Sequence, residues 1–166
     1  MMRDRRPTKD EWALALAKIT AARGTCARRQ VGCVLLNHRG HVLSTGYNGK
    51  AAGSKHCLDV PCPGAGLPSG TGLDLCEAIH AEQNALLQCP DVYDIRTCYV
   101  TTSPCVHCVK LLMNTGCRRI VFLEAYAHAD EARRMWQSEG QGRVWGLKSP
   151  PPRTWEMGVL PQGFMI

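Results

Sequence analysis

The run Thr97-Cys98-Tyr99-Val100-Thr101-Thr102-Ser103-Pro104-Cys105-Val106-His107-Cys108-Val109-Lys110-Leu111-Leu112-Met113-Asn114-Thr115-Gly116-Cys117-Arg118-Arg119-Ile120-Val121-Phe122-Leu123 carries two strand signals around one helix signal. Residues 97–102 and 118–123 are short apolar runs rich in β-branched side chains. Between them Pro104 fits the first turn of a helix over 104–115, and Gly116 closes it. A strand, a crossover helix and a strand in one sheet place the two strands parallel.

The alternation continues on both sides. Downstream, 129–138 reads as a helix and 143–147 as a short strand that Ser149-Pro150-Pro151-Pro152 ends. Upstream, Leu75, Ile79, Leu86 and Leu87 give helical spacing over 73–89, stopped by Pro90. Residues 31–36 and 41–46 form a hairpin across Asn37-His38-Arg39-Gly40, and Thr8 with Glu11 makes a capping box for a helix over 8–23. We therefore expect an α/β fold, a three-layer α/β/α sandwich with a mixed five-stranded sheet. One domain spans 1–148 and a tail spans 149–166. The stretch 47–72 is rich in Gly, Pro and Cys and has no periodicity, which marks a functional or disordered loop.

Composition narrows the class. With 166 residues, 45% hydrophobic and 20% charged, the chain fits one packed domain and is neither disordered nor a coiled coil. Twenty basic against fourteen acidic residues give a net charge of +6, which favours anionic or phosphorylated partners. Aromatics at 6% argue against a base-stacking platform, and so against a nucleic-acid partner. No signal peptide and no membrane-length apolar run is visible, so a cytoplasmic location with no membrane partner is expected. Ten cysteines in a reducing compartment point to metal sites or buried thiols rather than disulfides.

Two segments carry the chemistry. His80-Ala81-Glu82 sits inside the helix expected over 73–89, and Pro104-Cys105-Val106-His107-Cys108 opens the next one. Each alone is a weak signal; together they form the His-x-Glu and Pro-Cys-x-x-Cys pattern of zinc deaminases. Three protein ligands, His80, Cys105 and Cys108, suit a catalytic Zn2+, which keeps one position open for water. Thr102 or Ser103 is placed to cap the second helix, so that its free amides favour the thiolates the metal requires. Glu82, two residues from His80, points beside the metal rather than at it, as a catalytic proton carrier should.

The sequence resembles the deoxycytidylate (dCMP) deaminases over roughly residues 10–126. The matching segments are Arg23-Gly24-Thr25-Cys26-Ala27-Arg28-Arg29-Gln30-Val31-Gly32, Ser44-Thr45-Gly46-Tyr47-Asn48-Gly49, Lys55-His56-Cys57, Cys76 to Ala85, and Tyr99 to Cys105. The resemblance implies a cytidine-deaminase-like fold and hydrolytic deamination of dCMP to dUMP and ammonia, feeding dTMP synthesis. It implies that Asn48 meets the sugar and phosphate end, that Ala81 lines the substrate site and that Tyr126 lies beside the nucleotide. Arg28 and Arg29 have two readings, a solvated strand edge or a phosphate clamp.

The resemblance also implies a second, structural Zn2+ at Cys26 and Cys57, as some relatives have. Cys62 and Cys76 would complete a four-thiolate site, with His56 as a substitute, and such a site would order the long loop. The remaining thiols, Cys33, Cys89, Cys98 and Cys117, read as buried hydrophobes. In one branch of the family the resemblance implies a homo-hexamer activated by dCTP with Mg2+ and inhibited by dTTP. Gly49, Lys50 and Gly53 are the candidates for that allosteric site, because glycine amides and one cation suit a triphosphate. Two rival readings are a zinc deaminase acting on a base within RNA or DNA, or on 5-substituted dCMP, and a zinc-stabilised binding module without catalysis.

Overall fold

A computed structural model describes residues 6–138 and 142–147; the expected tail at 149–166 lies outside the described residues. The chain runs α1 (Lys9–Ala21), β1 (Gly32–Asn37), β2 (Val42–Tyr47), a 3-10 turn (Leu73–Leu75), α2 (Ala81–Gln88), β3 (Ile95–Thr102), α3 (Val106–Met113), β4 (Arg119–Glu124), α4 (Ala129–Gln137) and β5 (Val144–Leu147). The five strands form one sheet in the order β2-β1-β3-β4-β5. β1 is antiparallel to both β2 and β3, whereas β3, β4 and β5 are mutually parallel, as the crossover reading requires.

Successive strand side chains point to opposite faces, and both faces here are apolar. Val34, Leu36, Tyr99 and Val121 face α1, where they bury Ala13, Leu14 and Ala17. Cys33, Leu35, Cys98, Val100, Ile120 and Phe122 face the other way, against Ala81 and Ala85 of α2, Val109 and Leu112 of α3, and Ala132 and Trp136 of α4. This is the expected three-layer arrangement. α1 opens with the expected capping box, Thr8 and Glu11 bonding reciprocally at 3.2 and 2.8 Å. It is tied to the sheet by Asp10, which accepts two bonds from Arg119 and one from the Tyr99 hydroxyl.

Two expectations about helix starts need correction. The helix expected over 73–89 begins only at Ala81. Residues 76–80 are not helical, because Ile79 forms an antiparallel bridge with Gly49, exchanging bonds of 2.8 and 3.1 Å. His80 is thus the N-cap of α2 rather than an interior residue. Likewise α3 begins at Val106 with Cys105 as its N-cap, not Thr102 or Ser103. Ser103 is engaged elsewhere, its Oγ accepting from the Tyr126 N–H.

Gly46 sets how closely α2 approaches the sheet. A Cβ there would lie 2.2 Å from the Ala81 carbonyl oxygen and 2.4 Å from the Ala85 nitrogen. Around this contact α2 is stitched to β2: Ser44 Oγ donates to the Ala85 carbonyl at 2.8 Å, and Asn84 Nδ2 to the Tyr47 carbonyl at 2.7 Å.

Candidate active site

The start of β1 and the ends of β2, β3 and β4 lie at one rim of the sheet, as the pairs Gly32–Tyr47, Cys33–Val100 and Thr102–Glu124 fix. At this rim the N-termini of α2 and α3 converge. His80 Nδ1 stands 3.5 Å from Cys105 Sγ and 3.4 Å from Cys108 Sγ. Among the described residues no other trio of His, Cys or acidic donors draws together within 4.8 Å. A tetrahedral zinc with ordinary Zn–N and Zn–S bonds separates its nitrogen and sulfur ligands by about 3.5 Å, so the spacing and the donor types both fit this metal.

Backbone geometry aims the three donors. Gln83 Oε1 accepts from the His80 N–H at 2.8 Å and fixes the cap residue that carries the imidazole. Cys105 and Cys108 occupy the N-cap and third helical positions of α3, beside its unpaired amides. In the metal-free protein the Cys105 thiol is held down to about 3, first by the hydrogen bond from Cys108 and then by His80. Cys108 is pushed well above the usual thiol range by Cys105 and by burial, and His80 is raised, chiefly by its contact with Cys105. Cys105 is therefore a thiolate in advance, and it accepts hydrogen bonds from neighbours that keep their protons to higher pH than usual.

Glu82 lies on the first turn of α2 and is only 4% exposed. Burial raises its carboxyl to about 7, against the lowering influence of His80. A carboxyl at that value can take and return a proton near neutrality. Glu82, His80 and Cys105 line one cavity, and every residue expected at the substrate site lines it too: Asn48, Ala81, Tyr126, Arg28 and Arg29. Asn48 is locked in place, with Oδ1 accepting from the Val31 N–H at 2.8 Å and Nδ2 donating to the Arg29 carbonyl at 2.7 Å. It thereby fixes the backbone that carries the arginines.

The other expected residues are placed differently. Cys57 and Cys62 lie 3.7 Å apart at Sγ, close to the about 3.8 Å between two thiolates of a tetrahedral zinc. Cys26 and Cys76 line the catalytic cavity and do not close a trio of sulfurs with that pair. Of the candidate effector residues, Gly49 spends its N–H on the Ile79 carbonyl, and Lys50 Nζ is paired with Glu77 at 2.6 Å. These two groups do not form the free triphosphate cradle expected from the glycine run. Gly53 is exposed, with φ +85°, and an added Cβ there would meet nothing. Ser69 and Gly70 of the long loop also line the cavity and were not anticipated; Pro68-Ser69-Gly70 is a turn signal, but nothing local tells which surface the turn covers.

Comparison with known proteins agrees with this geometry. The family model for the cytidine and deoxycytidylate deaminase zinc-binding region matches residues 7–124. The deoxycytidylate deaminase of Mycobacterium phage D29 is 40% identical over 124 residues, covering 70% of this chain and 95% of the phage protein. That of Saccharomyces cerevisiae is 32% identical over 137 residues, 81% of this chain, which spans 44% of the fungal protein. The dCMP deaminase of cyanophage S-TIM5, solved in complex with dCMP and dUMP, shares the fold with a TM-score of 0.67 at 21% identity, covering 87% of this chain and 99% of its own. The family model covers most of the chain, and the chain belongs to the cytidine and deoxycytidylate deaminase zinc-binding family.

Proposed function

We propose that the protein is a hydrolytic deaminase that converts dCMP to dUMP and ammonia with a zinc held by His80, Cys105 and Cys108. The observation that carries the reading is the buried Glu82 carboxyl lining the same cavity as His80 and Cys105. Bound zinc supplies Lewis acidity that brings the pKa of a water toward about 7. Glu82 takes a proton from the water as the water oxygen bonds the amine-bearing carbon, and delivers it to the cytosine ring nitrogen. It then takes the second proton from that oxygen and gives it to the amine, whose C–N bond breaks to release ammonia as the carbonyl forms. Ala81 packs against the base, Tyr126 beside the nucleotide, Asn48 toward the sugar, and Arg28 and Arg29 toward the phosphate.

The reading includes a structural zinc at Cys26, Cys57, Cys62 and Cys76, supported by the spacing of the Cys57–Cys62 pair. It also includes a cytoplasmic homo-hexamer controlled by dCTP with Mg2+ and by dTTP; this control would use groups other than the Gly49 N–H and Lys50 Nζ. Among the described residues no helix is long and apolar enough to cross a membrane.

Ammonia release across cytosine nucleosides, mono- and triphosphates, 5-substituted dCMP and a cytosine oligonucleotide tests the activity, with metal content measured in parallel. Fastest turnover of dCMP and two zincs per chain are expected, with Cys57→Ser retaining one zinc and melting lower. Preference for the oligonucleotide would overturn the substrate, and absence of turnover in the zinc-loaded protein would overturn the activity. One zinc per chain in protein purified without chelator would remove the second site.

A further inference from the structure

Residues 68–71 form a tight turn in the long loop. The Pro68 carbonyl accepts from the Thr71 N–H at 3.1 Å and from the Thr71 hydroxyl at 2.7 Å, and Gly70 takes the left-handed conformation, φ +83°, that the reversal needs. Two side chains distant in sequence hold the turn from outside. Arg28 Nη2 donates to the Pro68 carbonyl and, at 3.1 Å, to the Thr71 carbonyl. His128 Nε2 lies 3.1 Å from the Gly70 carbonyl oxygen. A carbonyl only accepts, so Nε2 carries the proton.

His128 occupies the N-cap of α4, where Ser, Thr, Asp or Asn is favoured, yet its side chain makes no cap. It reaches the turn instead, and its ring meets the edge of Tyr126 at 5.9 Å. Ser69 and Gly70 line the cavity together with Tyr126 and Arg28.

We propose that His128 is a positioning residue for nucleotide binding, holding the 68–71 turn as a wall of the cavity beside Tyr126 and Arg28. The inference rests on the nucleotide reading given above and adds a specificity-determining element to it. With Nη2 spent on both carbonyls of the turn, Arg28 keeps its Nε–H and its Nη1 hydrogens without protein partners among the described residues; they point to different sides of the guanidinium, so each can meet a single phosphate oxygen. Release of the turn frees the arginine rotamer and removes the wall. His80, Cys105, Cys108 and Glu82 are held by other elements, so the effect falls on capture of the nucleotide and not on chemistry.

The test compares the unmutated protein with His128→Ala and His128→Gln by amide hydrogen exchange, dCMP affinity, steady-state kinetics and zinc content. In His128→Ala, exchange at residues 69–71 should speed up. The dCMP dissociation constant should rise about tenfold, the scale of one lost hydrogen bond, with kcat and zinc retained. Affinity for deoxycytidine, which has no phosphate for Arg28, should change less. His128→Gln, whose amide can donate to the same carbonyl, should restore both exchange and affinity. Unchanged exchange and affinity in His128→Ala, a loss confined to kcat, or failure of the glutamine to rescue would each overturn the proposal. Exchange and affinity need no turnover, so a protein that binds dCMP without releasing ammonia fails the deaminase reading and not this one.

Discussion

Ser103 Oγ accepts a hydrogen bond from the Tyr126 N–H at 2.8 Å, joining the turn that delivers Cys105 to the loop that follows β4. Ser103 is 3% exposed, so this bond is shielded from water and anchors Tyr126 at the cavity. In Ser103→Ala the amide loses its partner, which costs about 1–3 kcal/mol for a buried group. Chemical denaturation should show that loss, and dCMP kinetics should show a raised KM. An unchanged KM would mean that Tyr126 does not contact the nucleotide.

Glu82→Gln keeps the shape of the side chain and removes its capacity to carry a proton. Turnover of dCMP should fall by at least about 100-fold, the low end for acid–base groups, while zinc stays bound. Loss of metal together with activity would instead make Glu82 a ligand.

Zinc affinity should weaken as pH falls. In the metal-free protein His80 and Cys108 are both shifted upward, His80 chiefly by Cys105 and Cys108 by Cys105 and burial, so each keeps its proton to a higher pH than usual. Metal entry must displace those protons, so lower pH favours the metal-free form and higher pH the loaded one. Cys105, held down to about 3, adds no pH dependence in the neutral range. Chelator competition at several pH values, with proton release followed in weak buffer, measures this directly. An affinity independent of pH would refute the proton assignment.

Gly46→Ala should push α2 away from β2, because the new methyl would meet backbone at 2.2 and 2.4 Å. Overpacking of this kind costs about 1–3 kcal/mol. Since α2 carries His80 and Glu82, zinc affinity should drop along with the melting temperature. Gly66→Ala, with open space around its Cβ, is the control and should stay within about 0.5 kcal/mol of the parent.

The fold and the metal ligands are legible in the sequence because their signals are local. Thr97–Leu123 holds both parallel strands and their crossover, and the spacing of His80, Cys105 and Cys108 already picks out the donor trio that the fold draws together, with Glu82 lining the same cavity. The start of α2 is not legible, since Leu75 and Ile79 have helical spacing but Ile79 pairs with Gly49, far away in the chain. The same limit hides the engagement of Lys50 with Glu77 and of His128 with Gly70. Gln83 was readable: it stands three residues after His80, the capping-box offset, although the N-cap is a histidine instead of serine or threonine.

The cavity draws on one rim of the sheet alone, and that asymmetry bears on how the chain can change. The hairpin turn at 38–41, the connection at 89–94 and the turn at 114–118 lie at the opposite rim and contribute no residue to the cavity. Insertions there lengthen loops at small entropic cost and leave the ligands and the nucleotide wall in register. Lineages can therefore elaborate that rim, and an engineer can attach a tag or a reporter to it, without renegotiating the chemistry.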